Sequence, residues 1–180
     1  FVQRYHKIGQ EKKGAIFQII DNFVLFHFKF LANKKNSDQN FWSKSFNKPL
    51  LNTWFGLAFE RLCLQHLEQI KKALGISGVI TNTASWFTVA KKDQQGAQID
   101  LIIDRDDGII DLCEMKYSKD KFSLNKDDYN NIKHKRESFV SSIKTRKAIQ
   151  IVLITSFGAQ HNDYYNVLVQ NEITLDDFFK

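Results

Sequence analysis

The stretch QIDLIIDRDDGIIDLCEMKY, residues 98–117, decides the fold, because two apolar runs flank a short polar segment. Residues 98–104 and 109–117 each have the length and the isoleucine content of a short β-strand. The polar segment ends in Gly108, which can adopt the left-handed backbone that a tight turn needs. The stretch therefore predicts a β-hairpin.

Two registers of this hairpin are open, and they differ by one residue in the turn. A three-residue turn, 106–108, places Asp100 opposite Glu114 on one face of the sheet. A two-residue turn, 107–108, shifts the pairing by one position and moves these carboxylates to opposite faces. Glu114 and Lys116 share a face in both registers, because alternate residues of a strand do so.

The charged residues of the hairpin are of the types that a metal-dependent phosphodiesterase needs. Magnesium prefers oxygen ligands, uses one or two carboxylates and keeps waters that a phosphate can share. Asp100 and Glu114 would supply these oxygens together with the main-chain carbonyl of Met115. Lys116 would orient the attacking water and offset charge in the transition state. An ordinary surface hairpin is the competing interpretation, but charges within such apolar strands need a reason.

A further acid lies upstream, in a predicted helix over residues 53–74 with apolar residues at helical spacing. Glu60 follows Leu57 by three residues and precedes Leu64 by four, so it is expected to face the sheet. A buried carboxylate is costly unless a metal, a water or a cation meets it. Either Glu60 belongs to the same site, or it pairs with Arg61 or with a lysine at the helix edge.

Three segments resemble the PD-(D/E)xK nuclease superfamily: WFGLAFE at 54–60, GAQIDLIID at 96–104 and LCEMK at 112–116. They are more closely similar to the C-terminal nuclease-like domain of a bacterial and archaeal family of AAA+ type ATPases. Residues 20–30 also resemble the aromatic helix that joins the winged-helix region of that family to its nuclease-like domain. One departure is Ile99, which stands where the superfamily has a proline.

The resemblance implies a restriction-endonuclease-like core, with a central mixed sheet of four to five strands flanked by helices. It implies catalytic roles for Glu60, Asp100, Glu114 and Lys116, with Mg²⁺ or Mn²⁺ at Asp100 and Glu114. It also implies that ATP binds only to an upstream domain, since this chain contains no phosphate-binding G-x-x-x-x-G-K-[ST] loop.

Alternating helices and strands independently indicate an α/β fold. The predicted elements are the helix at 53–74, a strand at 79–90, the hairpin, a helix at 126–143, strands at 148–155 and 164–170, and a helix start at 174. Residues 1–48 are predicted to form an aromatic helical appendage that continues from a missing upstream winged-helix and ATPase region. Residues 49–180 are predicted to form the nuclease-like domain.

Basic residues concentrate in one segment of a chain whose formal net charge is +6. Residues 119–147 contain nine lysines and arginines against four acids. Such a surface binds phosphate backbones, so DNA is the predicted partner, although a solvated helix face is the ordinary alternative. Tyr129, Lys133 and Arg136 recur at helical spacing and are the candidate nucleic-acid-binding residues.

The remaining sequence features concern location and partners. No apolar run has the length of a bilayer span, so no membrane partner is expected. Cys63 and Cys113 lie in apolar patterns that are typical of core residues, and a reducing cytoplasm suits them. An upstream ATPase is the other expected partner, and self-association is left open.

Metal-dependent DNA cleavage is the function that this sequence predicts. One alternative is a nucleic-acid-binding or protein-interaction module that positions the ATPase, and another is a purely structural domain.

Overall fold

The structure, a computed structural model, describes residues 2–5, 16–32, 40, 43–44, 49–90 and 95–180. Its strands are β1 (Val2–Tyr5), β2 (Ile16–Ile19), β3 (Thr81–Thr88), β4 (Ala97–Arg105), β5 (Ile109–Lys116), β6 (Phe122–Ser123), β7 (Ala148–Thr155), β8 (Ala159–Gln160) and β9 (Asn171–Thr174). Its helices are α1 (Asn22–Phe26), which continues as a π-helical turn at His27–Leu31, α2 (Pro49–Gln65), α3 (Leu67–Ala73), α4 (Lys126–Ser142), α5 (Asp163–Leu168) and a 3₁₀ helix at Leu175–Phe179.

The centre of the fold is a mixed five-stranded sheet in the order β3-β4-β5-β7-β9. The pairs β3–β4 and β4–β5 are antiparallel, whereas the pairs β5–β7 and β7–β9 are parallel. Helix α4 connects β5 to β7, and α5 lies between β7 and β9. The predicted α/β class and the mixed sheet flanked by helices are therefore confirmed.

The hairpin of β4 and β5 has the three-residue turn. Leu101 pairs with Cys113 and Ile102 with Leu112, and Gly108 has a φ of 90°. Pairing ends at Leu101 and Cys113, so Asp100 and Glu114 lie just beyond it. The three-residue turn of the first predicted register is thus confirmed, whereas the shared face of Asp100 and Glu114 stays a prediction.

A β-bulge interrupts the pairing of β4 with β3 next to Asp100. Ala84 pairs with Ile102 but Trp86 pairs with Ile99, so one residue, Ser85, opposes two residues of β4. Such bulges re-aim side chains and occur often beside active sites. The sequence analysis did not predict this bulge.

Apolar side chains fill both faces of the sheet. One face packs against α4 and α5, with a cluster that includes Trp86, Ile102, Leu112, Ile132 and Phe139. The other face packs against α2, α3 and the 3₁₀ helix, with a cluster that includes Phe59, Cys63, Ile70, Leu101, Cys113 and Phe178. Both cysteines are buried and free, so the prediction that they are core residues is confirmed.

The predicted strand at 164–170 was wrong, because α5 occupies most of it. The Asn162 side chain accepts a hydrogen bond from the main-chain N–H of Tyr165 and starts the helix. Tyr165 and Leu168, three residues apart, are buried, whereas Val167 between them is exposed. Helical spacing thus decides which apolar residues reach the core.

The predicted helix over 53–74 forms as two helices, α2 and α3. They meet at His66, whose backbone leaves the helical conformation and whose ring Nδ1 lies 2.8 Å from the carbonyl oxygen of Leu62. Leu57, expected on the buried stripe, is 48% exposed. Phe59 and Cys63 form that stripe instead. The helix start predicted at 174 is confirmed as the capped 3₁₀ helix.

The N-terminal segment packs on α2 through aromatic rings. The ring centroids of Phe26 and Phe30 lie 5.4 and 6.2 Å from the ring centroid of Trp54. Phe30 is buried. The segment also contains the antiparallel pair of β1 and β2, which the helical prediction did not include. Residues 1, 6–15, 33–39, 41–42 and 45–48 of the predicted appendage lie outside the described residues, and its boundary at residue 48 stays a prediction.

Within the described ranges, no helix is long and apolar enough to cross a membrane.

Candidate active site

The Glu114 carboxylate lies between two lysines at the end of β5. Lys116 Nζ is 3.1 Å from Glu114 Oε1, and Lys135 Nζ is 2.7 Å from Glu114 Oε2. Lys116 belongs to the same strand, two residues on, whereas Lys135 reaches down from α4. The side chain of Glu114 is only 11% exposed, so these two cations provide the partners that a buried carboxylate requires.

Asp128 extends the network at the first turn of α4. Its Oδ1 is 4.0 Å from Lys116 Nζ, and its Oδ2 accepts a hydrogen bond from the main-chain N–H of Asn125 at 3.3 Å. Asn125 in turn accepts from the main-chain N–H of Asp128, which completes a capping box. The cap holds this acid beside Lys116.

Lys135 and Asp128 are members of the site that were not predicted from the sequence. A signal was present, because Asp128, Ile132, Lys135 and Phe139 follow one another at spacings of four, three and four residues. Ile132 and Phe139 are both buried. Charged residues on the same stripe as these two therefore point toward the sheet.

Asp100 stands on β4 at the bulge. Gln98 Nε2 donates a hydrogen bond to its Oδ1 at 2.6 Å. Within the described part of the chain, that is the one hydrogen bond of the Asp100 carboxylate, so its second oxygen can accept a ligand.

Glu60 faces the same end of the sheet from α2. Burial, together with the negative charges of Asp100 and Glu114, raises the pKa of its carboxyl from 4.5 to about 7, and the positive charges of Lys135 and Lys116 oppose this rise. Arg61, one alternative partner, donates instead to Asn22 Oδ1 at 2.8 Å. The charges of Asp100, Glu114, Lys116 and Lys135 therefore all act on Glu60.

The raised pKa of Glu60 predicts a pH-dependent stability. Between the unfolded value of 4.5 and about 7, the folded chain holds a proton that the unfolded chain has released, so stability falls as pH rises through this window. Glu60→Gln is therefore expected to unfold at higher urea than the wild type at pH 8, by on the order of 1 kcal/mol after solvent screening of this half-buried group, with no such gain at pH 4. Glu68→Gln, at a highly exposed position of α3, is the control and should show no difference between the two pH values. An equal effect of Glu60→Gln at both pH values would contradict the shift.

These donors suit magnesium or manganese, which keep several waters as ligands, better than they suit a metal whose ligands all come from the protein. Asp100 and Glu114 offer hard oxygens, and such ions accept one or two carboxylates and retain waters. Over the described residues, no group of three or more His, Cys, Asp or Glu side chains could hold a metal ion. The Met115 side chain packs in the core, so only its carbonyl stays a predicted ligand.

The three residues predicted to bind nucleic acid differ in exposure. Lys133 and Arg136 are exposed on α4, and Lys133 Nζ is 4.0 Å from Glu137. Tyr129 is half-buried and packs against the core. Its ring centroid lies 5.5 Å from that of Tyr164. Lys133 and Arg136 are therefore more accessible to a binding partner than Tyr129 is.

Comparison with known proteins gives one family match. The model of a family described as archaea bacterial proteins of unknown function matches residues 22–132. This range includes Glu60, Asp100, Glu114 and Lys116. No curated protein and no solved structure matches the chain.

Proposed function

The chain belongs to that family, DUF234, and we propose that it hydrolyses DNA phosphodiester bonds with the help of a divalent cation. The observation that supports this most is the Glu114 carboxylate between Lys116 and Lys135, with Asp100 and Glu60 within electrostatic reach. Acids and cations from β4, β5, α2 and α4 thus converge at one end of the sheet, as hydrolysis of a charged ester requires.

Each residue has a role in this proposal. Asp100 and Glu114 would hold Mg²⁺ or Mn²⁺, which would polarise the phosphate and make a water more acidic. Lys116 orients that water and offsets the charge on the phosphate in the transition state. Glu60, with a pKa of about 7, can take up or release a proton near neutral pH.

The wider context is part of the same proposal. The resemblance to the PD-(D/E)xK superfamily and to the C-terminal domain of an ATPase family supports a longer protein, in which ATP binds to an upstream module. The buried free cysteines suit a reducing cytoplasm.

The experiment is cleavage of plasmid and single-stranded DNA with Mg²⁺, with Mn²⁺ and with a chelator. We expect metal-dependent cutting by the wild type and a loss of about 100-fold or more in Asp100→Asn. Asp106→Asn, in the exposed turn at the far end of β4, is the matched control and should cut normally. Cutting by Asp100→Asn at the control rate would contradict the assignment, and absence of cutting by the wild type would favour the second candidate.

The second candidate is a DNA-binding module that positions an ATPase. One observation favours it: both oxygens of Glu114 already have lysine partners, so a metal must displace at least one of them. In that case the basic helix α4 would bind DNA and the acids would take no part in catalysis.

DNA binding by α4 gives a prediction that holds for both candidates. Lys133→Ala and Arg136→Ala are each expected to weaken binding about equally for all sequences and to lower the slope of log K against log salt by about one. Binding is measured by fluorescence anisotropy in chelator between 50 and 200 mM salt. A protein that makes six to ten phosphate contacts loses affinity by about 10³-fold or more over this range. Lys180→Ala, on the opposite face of the sheet, should leave the slope unchanged. Unaltered slopes in both α4 variants would exclude this helix as the DNA contact.

A further inference from the structure

A cavity of about 240 Å³ opens beside Asp100 and Glu60, and the proposed hydrolysis does not use it. Its lining comes from β2, α2, β3 and β4, namely Phe17, Gln18, Glu60, Leu64, Ser85, Gln98 and Asp100. At ~30 Å³ for each water, the space would hold about eight waters, which leaves room for a flat ring system such as a nucleobase.

The walls of this cavity are of two kinds. Phe17 and Leu64 supply apolar surface, and the ring of Phe17 is 68% exposed although aromatic side chains are usually covered. Gln18 and Gln98 supply amides that can both donate and accept hydrogen bonds. A nucleobase needs this combination, because its faces are apolar and its edges are polar.

Ser85 adds an independent indication that the cavity takes a ligand. Its Oγ is buried and has no hydrogen-bond partner among the described residues. An unsatisfied buried hydroxyl costs about 1–3 kcal/mol, so a structure retains it only for a reason. The bulge between β3 and β4 places this residue opposite Asp100 and Leu101.

The N-terminal wall of the cavity is anchored to α2. Gln65 Nε2 donates to the carbonyl oxygen of Ile20 at 2.8 Å, directly after β2. Two residues further, Asn22 Oδ1 accepts from Arg61 Nε, and Arg61 is only 7% exposed. Phe17 and Gln18 are therefore held over the helix that contains Glu60.

We infer that the cavity receives one unpaired nucleotide of the DNA strand, with its base against Phe17 and its edge toward Ser85 and Gln98. This inference rests on the proposed function, because it assigns the form of DNA that the same site takes. A base within a duplex is stacked and paired, and it enters such a pocket only after it leaves the helix. Single strands and frayed ends therefore bind and are cut in preference to blunt duplex, with the adjoining phosphate beside Asp100.

The test measures binding in chelator, where no chemistry occurs, with oligonucleotides that contain one 2-aminopurine. The wild type is expected to quench the fluorescence of an unpaired 2-aminopurine and to bind the single strand about tenfold more tightly than blunt duplex. Phe17→Ala should lose both effects. Phe23→Ala, at a comparably exposed phenylalanine of α1 that does not line the cavity, should keep both.

Ser85→Ala separates a ligand role from a structural one. If the hydroxyl serves a ligand, this variant binds the unpaired base more weakly but unfolds at the same or higher urea concentration, because an unsatisfied group has been removed. Lower stability with unchanged binding would overturn the assignment of Ser85.

The outcomes distinguish this inference from the proposed function. Equal quenching and equal affinities in Phe17→Ala and Phe23→Ala would overturn the nucleotide pocket, even if the wild type cuts DNA. Preference for the unpaired base without any metal-dependent cutting would support the pocket and overturn the hydrolysis.

Discussion

Replacing Lys116 with alanine is expected to lower the rate of DNA cleavage by about 100-fold or more, with little change in the fold. The lysine lies 3.1 Å from Glu114 and 4.0 Å from Asp128, next to the position assigned to the metal. Its removal takes away the cation to which we assign the orientation of water and the offset of charge in the transition state. Lys135 remains on the other oxygen of Glu114, so the buried carboxylate keeps a partner and the chain should fold.

The effect of Lys116→Ala is measured as the single-turnover rate at saturating DNA, with DNA binding in chelator measured in parallel. A residue that acts in the transition state changes the rate and leaves binding within about threefold. Lys121→Ala, five residues further along the chain and exposed, is the matched control. Cleavage by Lys116→Ala at the rate of Lys121→Ala would remove this lysine from the mechanism.

Replacing Phe139 with alanine is expected to have the largest effect on stability, about 3–5 kcal/mol. Phe139 is fully buried, at 0% exposure, and its ring meets Trp86 edge to face with 5.6 Å between the centroids. Alanine would leave a cavity between α4 and the sheet. Since α4 also carries Asp128 and Lys135, the charged network should loosen with it.

Urea unfolding measures this loss, and the neighbouring residue provides the control. Val140 is 44% exposed, so Val140→Ala should change the free energy of unfolding by less than about 0.5 kcal/mol. A cost below about 1 kcal/mol for Phe139→Ala would show that α4 does not pack on the sheet as described.

Local chemistry made the hairpin predictable. Gly108 takes a positive φ, as the tight turn before β5 requires, and of the two registers left open the structure has the three-residue turn, which pairs Leu101 with Cys113. The strand pair and the shared face of Glu114 and Lys116 therefore followed from one short segment, whereas the register did not.

Features that depend on distant parts of the chain were not predictable in this way. The bulge at Asp100 arises from pairing with β3, where Ser85 opposes two residues. The apolar residues near Tyr165 suit a strand as well as a helix, and the Asn162 cap decides between them. Lys135 joins the site only because α4 returns across the sheet, 21 residues after Glu114.

The most direct test of the site is the number of Mn²⁺ ions that the chain binds with a non-cleavable phosphorothioate oligonucleotide, counted by electron paramagnetic resonance. The account predicts at least one bound ion per wild-type chain, loss of this ion in Asp100→Asn and its retention in Asp106→Asn. A wild type that binds the oligonucleotide but no Mn²⁺, or an ion that stays in Asp100→Asn, would contradict the assignment of Asp100 and Glu114 as the metal site.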